Sequence, residues 1–200
     1  MQWTLTPDKY LNEEEEKRLI KVCSDAADLA ERRGYWIAVR DWMIIDLTLN
    51  TGLRVQEVSD LKVSNLFLNY NESSLVVESG KGGKRRVVRF GPKTKTHLKK
   101  YLEKREQSST YLFHSSRGEK LTRSALQKIF KKWARRANLP SHHSFHSMRH
   151  YHACHLYKIS NNNLRLVQQQ LGHASVNTTI VYANIMDEDA EEAFNRFEEE

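Results

Sequence analysis

Three short segments of the chain carry arginine, histidine and tyrosine side chains, residue types that can break a phosphodiester bond without a metal ion. Such chemistry needs a nucleophile, cationic donors for the non-bridging phosphate oxygens, and an acid for the departing oxygen. Arginine suits the second task because its planar guanidinium grips two phosphate oxygens and stays charged. A tyrosine hydroxyl can act as the covalent nucleophile where neighbouring cations lower the cost of the phenolate. The segments therefore contain the parts of a phosphoryl-transfer site.

Spacing places four of these side chains in pairs on common helix faces. Arg54 follows Gly52 at the start of a predicted helix, and Glu57 lies three residues further on, within reach of Arg54. His146 and Arg149 are also three residues apart, so they share one face of another predicted helix. Each pair taken alone is a modest signal, because an Arg–Glu pair at this spacing is usually a surface ion pair.

The other candidates lie in a late segment and in a glycine-rich turn. His173 and Tyr182 are nine residues apart. A lone tyrosine is usually a buried aromatic on an amphipathic stretch. Lys81 and Lys84 belong to the turn GKGGK between two predicted strands. These lysines could be solvated turn residues or could contact phosphate groups.

The elements that must position these residues are mostly helical. Apolar residues at helical spacing predict helices over 13–34, 35–50, 55–61, 92–102, 123–137, 145–159, 162–171 and 175–183. Between the helices predicted at 55–61 and 92–102, the apolar residues no longer recur at helical spacing. Segments 66–68, 74–77 and 86–90 are predicted strands. The predicted fold class is therefore mainly α with a small antiparallel three-stranded β-sheet, an α+β arrangement.

The charge of the chain favours a polyanionic partner. Its 200 residues have a net charge of +7, but residues 187–200 contain eight acids and one base, so residues 1–186 carry +14. Nucleic acid is the commonest partner for so basic a body, although a merely basic soluble protein would have the same balance. No apolar run approaches the roughly 18 residues that would span a bilayer, so we expect no membrane partner. Cys23 and Cys154 form no disulfide framework, which favours a reducing cytoplasm.

In these motifs the chain resembles the tyrosine recombinases, the family of the phage-integrase and Xer-type enzymes. Its arginine box TGLRxxE is Thr51–Glu57, its HxxRH box is His146–His150, and its LGHxSxxTTxxY box is Leu171–Tyr182. A GKGxKxR hairpin lies between the first and second boxes. Each pattern alone recurs by chance, whereas all of them in this order make a specific signal. The resemblance implies the recombinase catalytic-domain fold over residues 1–186.

The resemblance also implies the reaction at the centre of the site. Arg54 and Arg149 would clamp the scissile phosphate, and His173 would donate to a non-bridging oxygen. Tyr182 would attack phosphorus and leave a 3′-phosphotyrosine and a free 5′-hydroxyl. The reverse steps would join a new strand, so the resemblance implies site-specific cleavage and rejoining of double-stranded DNA with no cofactor and no metal.

Supporting roles follow from the same resemblance. Lys81 would reach the minor groove and protonate the departing 5′-oxygen, and His146 would assist proton transfer near the nucleophile. Glu57 would orient Arg54, and His150 would be a helper near the phosphate. Three further hairpin residues are expected to contact DNA: Lys84, Arg85 and Arg86.

The resemblance gives an expected domain organisation. Members of the family usually carry an amino-terminal core-binding domain, which we expect to be absent here because the chain begins near the start of the catalytic domain. Residues 187–200 form an acidic segment with an amphipathic pattern, which we expect to dock in cis or on a neighbouring subunit. Self-association as a tetramer on DNA is the corresponding expectation, in the cytoplasm at the nucleoid of a prokaryotic or viral system.

Two alternative functions are compatible with parts of the sequence. One is a catalytically silent DNA-binding module, against which the complete set of reactive residues argues. The other is a metal-dependent nuclease built on a cluster of histidine and cysteine residues with some i, i+4 spacings. No acidic residue lies between Ser141 and Ile159, which argues against this metal site. The cluster consists of His142, His143, His146, His150, Cys154 and His155.

Overall fold

We describe the fold from a computed structural model, which places residues 9–78, 85–105, 107, 109–173, 175 and 177–186. The hairpin tip with Lys81 and Lys84 and the acidic segment 187–200 lie outside the described residues.

Eight helices and one small sheet make up the described part of the chain, in agreement with the predicted α+β class. The helices are α1 Glu13–Arg32, α2 Trp36–Thr51, α3 Val55–Asp60, α4 Pro92–Lys104, α5 Arg123–Arg136, α6 Phe145–Ile159, α7 Leu164–Leu171 and α8 Asn177–Met186. The strands are β1 Leu66–Phe67, β2 Ser74–Val77 and β3 Arg86–Arg89, and a 3-10 turn covers Val63–Asn65. Among these described helices, none has the length and apolar character needed to cross a membrane.

Side-chain caps fix where several helices begin. Asn12 and Glu15 form a reciprocal capping box at the start of α1, as the Asn-then-acid pattern predicts. The Thr122 hydroxyl accepts the Ala125 N–H at the start of α5, and the Asn163 amide oxygen accepts the Leu166 N–H at the start of α7. These caps satisfy backbone N–H groups that have no partner within the helix, and so they set the helix boundaries.

The sheet is antiparallel in the order β1-β2-β3. Ser74 of β2 pairs with Arg89 of β3, and Val77 pairs with Arg86 at the end nearest the hairpin tip. All four residues of β2 are buried, because this middle strand is covered by the helical body. The register places Arg86 at the point where the hairpin meets the rest of the domain.

Two apolar clusters hold the fold together. The larger one joins α1, α2, α4 and α5 to the sheet, and fully buried Trp133, Phe130 and Phe113 are among its largest side chains. The smaller one lies between α6, α7 and α8 and includes Tyr182. Helix α6 contributes buried residues to both clusters, so it runs through the middle of the domain and carries the HxxRH box with it.

Candidate active site

Arg149 lies at the centre of the candidate site, on the first turns of α6, and is only 2% exposed. Its Nη1 donates to the Gly52 carbonyl, and its Nη2 donates to the Leu171 carbonyl at 2.9 Å. One guanidinium therefore joins the turn after α2 to the end of α7. Burial and then the charge of Arg54 lower the pKa of Arg149 to about 10, which leaves it charged at neutral pH.

Both of these turns require glycine. Gly52 ends α2 with φ 63°, and Gly172 ends α7 with φ 65°, a left-handed conformation that other residues adopt only at a cost. A Cβ on Gly52 would lie 2.6 Å from the His152 ring, and a Cβ on Gly172 would lie 2.5 Å from the Arg86 side chain. The glycines of the TGLR and LGH boxes are thus explained by backbone geometry and close packing.

The Glu57 carboxylate holds two arginines at once. Its Oε1 accepts from Arg54 Nη1 at 2.9 Å and from Arg86 Nη1 at 2.7 Å. Its Oε2 accepts from the Arg54 backbone N–H at 2.8 Å and from Arg86 Nη2 at 2.9 Å. Burial alone would raise the pKa of Glu57, but the hydrogen bond and charge of Arg86 outweigh it and hold this pKa at about 2. The carboxylate is therefore ionised, and it accepts hydrogen bonds from both the side chain and the backbone of Arg54.

Arg86 has a different place from the one expected for a DNA-contacting hairpin residue. Its side chain is 11% exposed, it pairs with both oxygens of Glu57, and its Nε donates to the Gln170 carbonyl at 3.3 Å. With its nitrogens directed inward, it does not present the guanidinium to a DNA backbone. Arg86 instead connects β3 with the arginine box and the LGH turn.

His173 accepts a hydrogen bond from Arg149. Its Nε2 lies 3.0 Å from Arg149 Nη2, and because a guanidinium can only donate, Nε2 is the acceptor. Its Nδ1 then carries the hydrogen toward the Thr179 hydroxyl, at 3.0 Å. Burial, followed by the charges of Arg149 and Arg54, lowers the pKa of His173 to about 3. His173 is therefore a neutral imidazole that is hydrogen-bonded to Arg149.

Tyr182 projects from α8 into the same site and is 2% exposed. Its hydroxyl oxygen lies 3.1 Å from His150 Nδ1, and its ring lies parallel to that of His173 with centroids 6.3 Å apart. Burial raises the pKa of Tyr182 to about 12, so the phenol is protonated at neutral pH. The exposed His146 stands edge-on against His150, with ring centroids 4.6 Å apart. His150, expected near the phosphate, is therefore the histidine that contacts the Tyr182 hydroxyl.

The remaining histidines of the cluster have separate partners. His143 Nε2 lies 3.2 Å from the Glu15 carboxylate, so α1 supplies an acid that the local sequence lacks. The His155 ring stacks on the Tyr151 ring. His142 is exposed, and its ring packs edge-on against the His143 ring. Within the described ranges, no three His, Cys, Asp or Glu side chains converge as a metal site would require.

Four predicted site residues from three distant segments thus meet within one buried region: Arg54, Arg149, His173 and Tyr182. Lys81 and Lys84 lie outside the described residues, so their roles stay predictions. Arg85 is exposed on the hairpin stem, 3.6 Å from the exposed Glu78 carboxylate.

Two features of the molecule were not predicted from the sequence. Thr179 fixes the His173 ring, and its place in the LGHxSxxTTxxY pattern was the available signal. Helix α5 has six exposed basic residues and no acidic one, a charge pattern that was visible within the predicted helix 123–137. These basic residues are Arg123, Lys128, Lys131, Lys132, Arg135 and Arg136.

Comparison with known proteins decides the family. The sequence model of the phage integrase family matches residues 9–189. This chain belongs to the phage integrase family of tyrosine recombinases. Tyrosine recombinase XerA of Pyrococcus furiosus is 34% identical over 194 residues, which are 96% of this chain and 62% of that protein.

Solved recombinase structures agree with the fold. The crystal structure of XerA recombinase is 29% identical with a TM-score of 0.76, and the match covers 94% of this chain and 62% of that one. The XerH site-specific recombinase, bound to its palindromic difH substrate after cleavage, is 28% identical with a TM-score of 0.79, covering 96% and 54%. This tyrosine recombinase chain therefore spans less than two thirds of the length of these relatives.

Proposed function

We propose that this chain cleaves and rejoins DNA strands at specific sites, with Tyr182 as the covalent nucleophile. The observation that carries the proposal is that Tyr182 lies beside the cationic groups: its ring stacks on that of His173 with centroids 6.3 Å apart, and His173 is hydrogen-bonded to Arg149. The charges of Arg149 and Arg54 both act to lower the pKa of Tyr182. A DNA-binding module needs basic residues at its surface, but it has no use for a buried phenol beside a buried, charged arginine. Membership of the tyrosine recombinase family supports the same conclusion.

The proposed step balances without an oxidant, a metal or a nucleoside triphosphate. The Tyr182 oxygen bonds to phosphorus as its O–H bond breaks, and the bond from phosphorus to the 5′-oxygen breaks in turn. The products are a 3′-phosphotyrosine and a 5′-hydroxyl, and attack by another 5′-hydroxyl reverses the sequence. Because one phosphodiester replaces another, the bond energy is conserved through both steps.

Arg54 and Arg149 supply the positive charge that the phosphate needs in the transition state. Arg54 is partly exposed with its Nη1 on Glu57, so its other nitrogens can face the DNA. His173 must exchange its hydrogen-bond partner before it can donate to the phosphate, because its Nε2 accepts from Arg149 in the structure. A bound phosphate would draw Arg149 Nη2 toward itself and would favour a protonated His173. The histidine then donates to a non-bridging oxygen, as the family resemblance implies.

Lys81, Arg85 and Lys84 complete the proposal on the hairpin side. Lys81 acts as the acid for the departing 5′-oxygen, and the other two contact the DNA backbone. Arg86 is left out of this set because it is paired with Glu57. His146, exposed at the start of α6, faces the DNA beside His150.

Double-stranded DNA is the proposed partner, and exposed basic residues of α5 would add phosphate contacts. Lys132 is less suited to this, because it pairs with Asp41. Lys131 is also less suited, because it donates to the Ser141 and His143 carbonyls. The solved XerH relative is itself a DNA complex, which supports this partner. Residues 187–200 are proposed to dock on a neighbouring copy, so that a tetramer assembles on DNA near the nucleoid in the cytoplasm. Their acidic charge would complement the basic body of residues 1–186.

Covalent capture tests the proposed reaction. Labelled nicked duplexes with a randomised sequence around the nick are incubated with the protein in EDTA, and adducts are resolved on a denaturing gel. We expect a protein–DNA adduct that Tyr182→Phe abolishes and Tyr157→Phe retains, because Tyr157 belongs to the same small apolar cluster but lies on α6, outside the LGHxSxxTTxxY box. An adduct that survives Tyr182→Phe, or cleavage that EDTA abolishes, would overturn the proposal. DNA binding with no adduct in any variant would favour the silent module.

A further inference from the structure

The Tyr182 hydroxyl is enclosed, and its proton has one evident protein acceptor. Among the hydrogen bonds of the described residues, the contact of this hydroxyl is with His150 Nδ1, at 3.1 Å. The two rings are tilted by 50° with centroids 5.9 Å apart, so the phenol oxygen approaches the edge of the imidazole where its nitrogen lies. His146 is the histidine expected to assist the nucleophile, but its ring packs against the ring of His150.

We propose that His150 is a catalytic residue that accepts the proton of the Tyr182 hydroxyl when the phenol oxygen attacks phosphorus. This inference rests on the proposed function and assigns the nucleophile side of that reaction to one group. In the forward step the Tyr182 O–H bond breaks and its proton moves to Nδ1, while the oxygen–phosphorus bond forms. On rejoining, the phenolate leaves phosphorus and takes the proton back from Nδ1.

Burial makes an internal acceptor necessary. Tyr182 packs among Ala153, Cys154 and Val167, side chains that cannot take up a proton from a neutral phenol at this site. His150 is itself buried on α6, directly after Arg149, so the helix that places the phosphate clamp also places the acceptor. A shift of the helix would move both groups together, which keeps the base aligned with the phosphate.

The charges around His150 keep Nδ1 unprotonated at neutral pH. Burial, followed by His146 and Arg149 on its own helix, lowers the pKa of His150 to about 3. His173, on the turn after α7, and Lys9, at the start of the described chain, act in the same direction. Neutral His150 then carries its hydrogen on Nε2 and presents the Nδ1 lone pair to Tyr182. The bound phosphate adds negative charge beside this group, which favours the transient imidazolium.

A substrate with sulfur in place of the bridging 5′-oxygen separates the nucleophile side from the leaving-group side. A thiol has a pKa of about 8.5, far below that of an alcohol, so the sulfur departs without a general acid. We expect His150→Leu to lower the single-turnover rate of adduct formation by about 100-fold, within the usual range for a lost general base. That loss should persist on the sulfur substrate, whereas a Lys81→Ala loss should recover on it.

The pH profile provides a readout that a merely structural role would not change. Without an internal base the phenol must ionise first, so the His150→Leu rate should rise with pH while the rate of the unaltered protein stays nearly flat. His150→Gln keeps a hydrogen-bond acceptor that is not a base, and it should show the same slow, pH-dependent rate. His155→Gln, at an exposed position of the same helix, is the matched control and should cleave normally.

Three results would overturn the inference. They are a His150→Leu rate within about threefold of normal, recovery of that variant on the sulfur substrate, and a normal rate for His150→Gln. The last would show that His150 only positions the hydroxyl, and it applies even if the leucine variant does not fold. Failure of the proposed function itself would look different, because the unaltered protein would then form no adduct on either substrate.

Discussion

Replacing Arg86 by alanine tests whether this arginine is a buried anchor of the site or a DNA contact. The structure pairs Arg86 with both oxygens of Glu57, whose pKa is about 2 in place of 4.5. A shift of that size corresponds to about 3 kcal/mol of stabilisation of the ionised carboxylate at neutral pH. Arg54 would still hold Glu57 after the substitution, so we expect Arg86→Ala to lower the free energy of unfolding by about 2 to 3 kcal/mol.

The pH dependence of this loss has a definite sign. The folded pKa of Glu57 lies below its unfolded value, so its contribution is present above pH 4.5 and disappears as the pH falls toward 2. Urea unfolding followed by circular dichroism at several pH values should show that Arg86→Ala has lost much of this slope. At neutral pH the variant should have a lower midpoint with an unchanged denaturant dependence.

Arg85→Ala is the matched control. The Arg85 side chain is 64% exposed, and its ion pair with the exposed Glu78 carboxylate is long, at 3.6 Å. We expect Arg85→Ala to change the free energy of unfolding by less than about 0.5 kcal/mol. Equal stabilities for the two variants would refute the reasoning. In that case a salt-dependent loss of DNA affinity confined to Arg86→Ala would restore the original expectation of a phosphate contact.

Two further predictions concern the LGH turn and the buried histidines. Gly172→Ala should destabilise the fold more than Gly34→Ala, because both pay a left-handed strain of about 1 to 2 kcal/mol but only the former pushes a Cβ against Arg86. Equal losses in urea unfolding would show that the clash is relieved at no cost. Burial lowers the pKa of His152 to about 4 and that of His150 to about 3, so the unfolded chain binds more protons below pH 6.5. Stability should therefore fall by about 1 kcal/mol per histidine between pH 7 and 5.5, and an undiminished slope in His152→Gln would contradict the assignment.

The sequence predicted the elements well because their signals are local. Helical spacing of apolar residues depends on neighbours within a few residues, and the structure confirms the helices that this spacing predicts. The pairing of Arg54 with Glu57 is equally local, since three residues on a helix start bring their side chains together. Motifs in a fixed order then identified the family.

What only the tertiary structure decided are the contacts between these segments. Arg86 follows a hairpin of basic residues, and nothing in its neighbourhood indicates that β3 turns it inward onto Glu57, 29 residues away in sequence. The contact of Tyr182 with His150 has the same origin, because it depends on the side from which α8 approaches α6. Local sequence fixes which face a side chain occupies along its own helix. Which partner covers that face depends on how distant helices pack, and in this protein that packing determines which histidine meets Tyr182.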